Sequence, residues 1–222
     1  MRKSIIIVGC LLFAALVTGC ARTVTNVNFG SSLVVKVTLR GNADTTNNRY
    51  FMVFGTTPNL KVPLPPPYNN IGGINYEFLE PDGTRPVDGT SLEAYYTNYF
   101  STWSGYVVLD GSGFFAVPGP FQQSAPIIRT SPFAYFTPGT NQISFNFPLN
   151  QVFVNTGLPN TAYFDFVTVS WLNGSYKYSR DHLEGTNAYI STQTGSSITV
   201  SDPADPAING SLDILTCEVT VQ

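Results

Sequence analysis

Ser32-Leu33-Val34-Val35-Lys36-Val37-Thr38-Leu39-Arg40 is the stretch that decides the fold class of this chain. Leu33, Val35, Val37 and Leu39 recur at every second position, with Lys36, Thr38 and Arg40 between them. Successive side chains of a strand point to opposite faces, so this spacing predicts a half-buried β-strand. Gln142-Ile143-Ser144-Phe145-Asn146-Phe147 repeats the alternation, with Ile143, Phe145 and Phe147 on one side.

Outward from these two segments, Gly, Pro, Asn and Asp punctuate a series of short apolar runs. Arg49–Phe54 reads as a more fully buried strand, joined to the first as a hairpin through the turn-rich segment Gly41–Asn48. Further strands are predicted at Tyr76–Glu80, Tyr106–Leu109, Phe114–Val117, Ala162–Trp171, Ser175–Ser179, Ala188–Ser191, Ser197–Val200 and Leu212–Val221. Many short strands with turns between them imply an all-β chain, a single antiparallel β-sandwich of jelly-roll or Ig-like kind. Val62-Pro63-Leu64-Pro65-Pro66-Pro67 cannot sit inside a sheet, because proline lacks the amide donor, and it is expected as a loop within one domain.

One segment departs from this pattern. Thr90-Ser91-Leu92-Glu93 has the form of a capping box with Thr90 as N-cap, and Leu92, Tyr95, Tyr96, Tyr99, Phe100 and Trp103 follow at helical spacing. A short helix is expected near 91–100. Most of these rings are expected to seal a core, with Tyr96 falling off the main stripe; Tyr96 and Trp103 are the candidate ligand or partner contacts.

The start of the chain is of another character. Arg2-Lys3, an apolar run from Ile5 to Val17 and the sequence Leu16-Val17-Thr18-Gly19-Cys20 form a charged, apolar and small-residue succession typical of a secretion signal. The apolar run is too short to span a bilayer as a helix, which takes about 20 residues. Leu-Val-Thr-Gly-Cys resembles the lipobox of bacterial lipoproteins, in which the cysteine receives diacylglycerol before cleavage. The resemblance covers the signal alone. It implies residues 1–19 as signal peptide, Cys20 as the lipidated N-terminus, 20–30 as a tether and 31–222 as the β-sandwich domain. It further implies export and membrane anchoring through Cys20, and, with Ala21 next to the cysteine, an outer-membrane destination if the host has two membranes.

Removing Arg2 and Lys3 from the 11 basic residues leaves nine against 14 acidic ones, a net charge of about −5. The nine are scattered, so no basic stripe for nucleic acid exists. With Cys10 in the signal and Cys20 modified, Cys217 has no partner for an intrachain disulfide and is expected as a small buried hydrophobe. No cofactor or metal site is expected: neither His-Glu-x-x-His nor Gly-x-Ser-x-Gly occurs, and His182 is the sole histidine.

His182 falls in Ser179-Arg180-Asp181-His182, where neighbours in sequence do not make a triad; the group is expected to solvate a loop. Asp82, Asp88, Asp110, Asp202 and Asp205 adjoin Gly or Pro and are expected to shape turns rather than bind calcium. These residues favour a non-catalytic role in binding, adhesion or envelope structure, with a glycan or protein partner or self-assembly through a sheet edge. A carbohydrate-binding module using the aromatic cluster is the alternative, and a carboxylate-dependent hydrolase the third reading.

Overall fold

Two antiparallel sheets face each other in the computed structural model, which describes residues 30–67, 72–129, 131–172, 174–183 and 188–222. The signal peptide, Cys20 and the tether up to residue 29 lie outside the described residues. The smaller sheet has the order β5 (Gln142–Pro148), β1 (Ser32–Leu39), β10 (Ile214–Val221), β9 (Ser197–Ser201). The larger runs β4 (Gly113–Pro118), β3 (Gly105–Asp110), β2 (Asn48–Gly55), β6 (Thr161–Ser170), β7 (Ser179–His182). A sixth strand, β8 (Ala188–Ser191), pairs with the first half of β6 as β7 pairs with its second half. This is the all-β sandwich that the alternating segments predict.

The alternation places the core as expected. Leu33, Val35, Val37 and Leu39 of β1 and Ile143, Phe145 and Phe147 of β5 are buried between the sheets, against Tyr50, Met52 and Phe54 of β2 and Phe164 and Phe166 of β6. Cys217 joins them from β10, fully buried, and desolvation pushes its thiol up to about 12. The odd-numbered apolar face of that strand breaks at Leu215, where the register with β1 slips, so that Ile214 rather than Leu215 is paired with Leu39. Strand β10 accordingly begins at Ile214, not at Leu212.

The expected β1–β2 hairpin does not form. β1 pairs with β5 and β10, whereas β2 pairs with β3 and β6, and residues 40–47 cross from one sheet to the other. Both strands carry a strong apolar face, and stacking these faces across the core buries them against each other.

β2 is buried on both sides because the larger sheet also has a second core on its outer face. Phe51, Val53, Tyr106, Val108, Phe115, Val117, Val167 and Val169 lie under a cover of connecting chain that includes Leu60, Val62, Phe78 and Trp103. The one α-helix among the described residues, α1 (Leu92–Asn98), belongs to this cover and leads into a 3-10 turn, Phe100–Thr102. Its N-cap is Ser91, whose hydroxyl oxygen accepts from the Ala94 amide; Thr90 instead donates to Asp88 Oδ1 at 2.6 Å. The cap is therefore one residue later than the capping-box reading places it, and Glu93 is one position too early to complete the box.

Two expected strands are absent. Tyr76–Glu80 is buried but belongs to the cover, where the Phe78 amide donates to the Lys177 carbonyl. Ser175–Ser179 gives way to β7 at Ser179–His182, because the exposed chain at 174–176 turns back before it reaches the edge of β6.

Charge ties the cover down. Glu80, only 2% exposed, receives Arg49 Nη1 and Arg129 Nη2 at 2.6 Å each on Oε1, and the Tyr106 hydroxyl donates to its Oε2 at 2.9 Å. Arg129 also reaches Asp110 at 2.6 Å, and Arg49 lies over the Trp171 ring. Glu77 serves similarly for the backbone, accepting from the amides of Val87, Asp88 and Lys177.

Candidate functional site

Antiparallel pairing puts the end of β1, the start of β2, the end of β6, all of β7 and the β9–β10 connection at one end of the sandwich. A cleft of about 740 Å³ opens there, within the size range of small-ligand sites. Asp44 and Asn47 line it from the β1–β2 connection, Asp181 and His182 from β7, and Asp202, Asp205 and Asn209 from the β9–β10 connection. Leu172, Pro65 and Pro66 contribute apolar wall.

The segment Ser211–Ile214, from which Leu212 lines the cleft, is gripped by three strands of the opposite sheet. Asn48 Nδ2 donates to Ser211 Oγ at 3.0 Å and the Tyr50 hydroxyl to the Ser211 carbonyl at 2.8 Å. From β6 the Thr168 hydroxyl donates to the Leu212 carbonyl at 2.6 Å. From β7 the Asp181 carboxylate accepts the Ile214 amide at 2.7 Å. Arg40 pairs with the fully buried Asp213 and donates to the Ile208 carbonyl, pinning the long connection from beneath. Gly41 and Gly210 cross at the same place; a Cβ on Gly41 would stand 2.9 Å from the Gly210 carbonyl carbon. Such multiply held backbone presents its side chains in a fixed arrangement.

The titrating groups here are perturbed. Burial pushes the Asp181 carboxyl up to about 6, against hydrogen bonds from the Ile214 and His182 amides that favour the ionised form. Burial pulls the His182 imidazole down, but Asp165, whose Oδ2 is 3.5 Å from Nδ1, and the nearby Asp181 and Asp202 carboxylates outweigh it, leaving its pKa above the ordinary value. His182 is thus not a solvated loop residue: it lies half-buried on a strand, paired with Asp165. Among the described residues, no group of three or more His, Cys, Asp or Glu is placed to hold a metal ion.

Of the other candidates, Asp202 and Asp205 line the cleft, and Asp82, Asp88, Asp110, Tyr96 and Trp103 do not. Asp82, Asp88, Asp110 and Asp205 accept the amide two residues on, from Thr84, Thr90, Ser112 and Ala207, which is the turn role expected of them. Asp202 is buried and lines the cleft instead. Trp103 is 3% exposed, donates Nε1–H to the Lys61 carbonyl at 2.7 Å and stacks on Phe78, so it offers no ring face to a ligand. Tyr96 is half-buried, with its hydroxyl on the Pro81 carbonyl and its ring edge-on to Phe100. The aromatic stripe of α1 and the 3-10 turn closes the outer core.

Sequence reading missed the convergence of Asp44, Asp181, Asp202, Asp205 and Asn209. The signal available was the length of the β9–β10 connection, 202–213, rich in Asp and Pro and far longer than a hairpin needs. Searches against protein-family models, curated proteins and solved structures match nothing to this chain.

Proposed function

We propose that this protein is a lipid-anchored, extracytoplasmic binding module with an envelope or adhesion role, held to the membrane through Cys20 and presenting the polar cleft to its ligand. The observation that carries the reading is the placement of the cleft. The chain enters the domain at Gly30, whose amide donates to the Thr192 carbonyl at the opposite end of β1. Eight residues of strand, about 26 Å, separate that end from the cleft. An anchor at Cys20 thus attaches to the end of the domain remote from the cleft. The cleft's lining sets four carboxylates, Asp44, Asp181, Asp202 and Asp205, against Arg180 and His182, with amides and apolar wall between them, which suits a hydroxyl-rich or cationic ligand.

Two measurements test this together. A fatty-acid probe should label the wild type and not Cys20→Ser. Detergent-solubilised lipoprotein on an array of envelope glycans and cationic peptides should bind, and Asp205→Ala with Asn209→Ala should abolish binding while the domain still melts cooperatively, the loss of turn hydrogen bonds lowering the melting temperature without unfolding it. Label that persists in Cys20→Ser, or binding indifferent to the cleft pair, overturns the corresponding half of the proposal.

Asp181 favours a second reading, a carboxylate-dependent hydrolase, because a carboxyl pushed up to about 6 in a cleft is poised to act as a general acid. Polysaccharide turnover by the wild type that disappears in Asp181→Asn would establish it over simple binding.

A further inference from the structure

The end of the sandwich remote from the cleft has the opposite chemistry. It is formed by the starts of β1 and β6, the end of β5 with residues 149–160, and by β8 and the turn into β9. Residues 131–164 contain no Asp, Glu, Lys or Arg, and neither do residues 188–201. Three large apolar or aromatic side chains stand exposed in these segments near that end: Val154 at 58%, Leu158 at 43% and Tyr189 at 59%. Tyr189 lies directly across from Tyr163 on β6, with ring centroids 5.8 Å apart. Elsewhere Val87, Ile128 and Tyr176 are exposed beside Asp88, Arg129 and Lys177, while Ile74, Tyr135 and Leu172 stand exposed singly with no charged neighbour in sequence.

This end is also where the tether arrives. The Gly30 amide donates to the Thr192 carbonyl, the Thr192 amide to the Asn160 carbonyl and the Thr192 hydroxyl to the Pro159 carbonyl, which puts Leu158 beside the incoming chain. Gly30 is pressed against Val221 so closely that a Cβ has no room, which fixes the point of arrival. The ten residues from Cys20 to Gly30 reach at most about 35 Å even when fully extended. Lys61, exposed near the end of β2 with its amide on Thr102 Oγ1, adds a cation at the same end.

We infer that this end of the domain is a membrane-docking face, with Val154, Leu158, Tyr163 and Tyr189 seated at the headgroup–acyl boundary of the bilayer that holds Cys20. The inference rests on the lipoprotein reading above. Tyrosine is suited to the interface by its amphipathic ring, and Val and Leu gain by leaving water there. Lys61 apart, the segments named at this end carry no charged side chain, so little desolvation cost opposes contact, and the lipid supplies a high effective concentration through a short tether. A domain seated in this way holds its cleft at a set height and direction, where an unseated one would tumble on its tether.

The test uses the full lipoprotein reconstituted in vesicles of phosphatidylethanolamine and phosphatidylglycerol. Leu158→Cys and, at the cleft end, Asn209→Cys each carry an environment-sensitive fluorophore; Cys217 is buried and stays unlabelled. The Leu158 probe should shift to the blue and be quenched about twofold by lipids brominated in the acyl chain, as expected for a group lodged at the interface. The Asn209 probe should do neither. Tyr189→Ser with Val154→Ser should return the Leu158 probe to its water-exposed emission while leaving the fatty-acid label on Cys20 intact. A Leu158 probe in water on vesicle-bound, Cys20-labelled protein overturns the docking face and leaves the anchor standing. Loss of the Cys20 label itself overturns both.

Discussion

Replacing Glu80 by Gln should destabilise this protein more than any surface substitution, because Glu80 is the carboxylate that bridges two guanidinium groups. Arg49 and Arg129 both lie 2.6 Å from the same carboxylate oxygen, and the carboxylate is 2% exposed. Glutamine keeps the shape and one acceptor oxygen but removes the charge, leaving Arg49 with no carboxylate within salt-bridge distance among the described residues and Arg129 with Asp110 alone. Breaking a buried ion pair by removing one partner costs about 3–5 kcal/mol. In a domain of this size, 1 kcal/mol moves the melting temperature by about 2–4 °C, so the loss should be roughly 6–20 °C. Lys36→Met supplies the comparison: Lys36 and Glu218 are 3.6 Å apart with both side chains about half in water, and such a pair is worth about 0–1 kcal/mol. Thermal melts of the two variants, at low and high salt, decide the matter, since only the exposed pair should be screened. Adding Arg129→Met to Glu80→Gln should cost less than the sum of the single changes. If Glu80→Gln melts within the range of Lys36→Met, the network is not what fastens the outer cover to the sheet.

Phe145→Ala should cost about 3–5 kcal/mol, because the ring is buried against Phe114, Phe133 and Phe147, while Ser144→Ala on the opposite face should stay below about 0.5 kcal/mol; urea unfolding of both checks the register. Melting temperature should fall as pH rises from about 4 to 8. Asp181, with its folded pKa raised to about 6, contributes stability that is lost as pH climbs through that value, and His182, also raised, contributes stability that is lost above its ordinary range. Asp44, lowered first by its Asn47 hydrogen bond, acts in the opposite sense and only in stronger acid, so stability should peak in mild acid; a flat profile between pH 5 and 8, on the order of the range spanned by these groups, would refute the assignment. Cys217 should resist a thiol reagent at pH 8 until urea is added, since its thiol is buried and held at about 12.

Sequence alone determined what depends on local periodicity. The two-residue alternation in 32–39 and 142–147 named the residues that face the core, because only one register can bury an alternating face. The helix was legible within two or three residues, and its cap was misplaced by one because Thr90 and Ser91 are equally good caps until Asp88 claims the Thr90 hydroxyl. Asp82, Asp88, Asp110 and Asp205 were legible as turn formers since their hydrogen bonds reach only two residues. Tertiary structure decided the rest. Which sheet β2 joins depends on how two apolar faces stack, and no local signal separates a hairpin from a crossing connection. The cleft needs residues 44, 181, 205 and 209, brought together only when two sheets close around the Ser211–Ile214 segment. His182 was read as solvated because its sequence neighbours are polar, whereas its partner, Asp165, comes from the adjacent strand. Pairing between distant segments set both the site and the polarity of the molecule, and that pairing is a property of the packed chain.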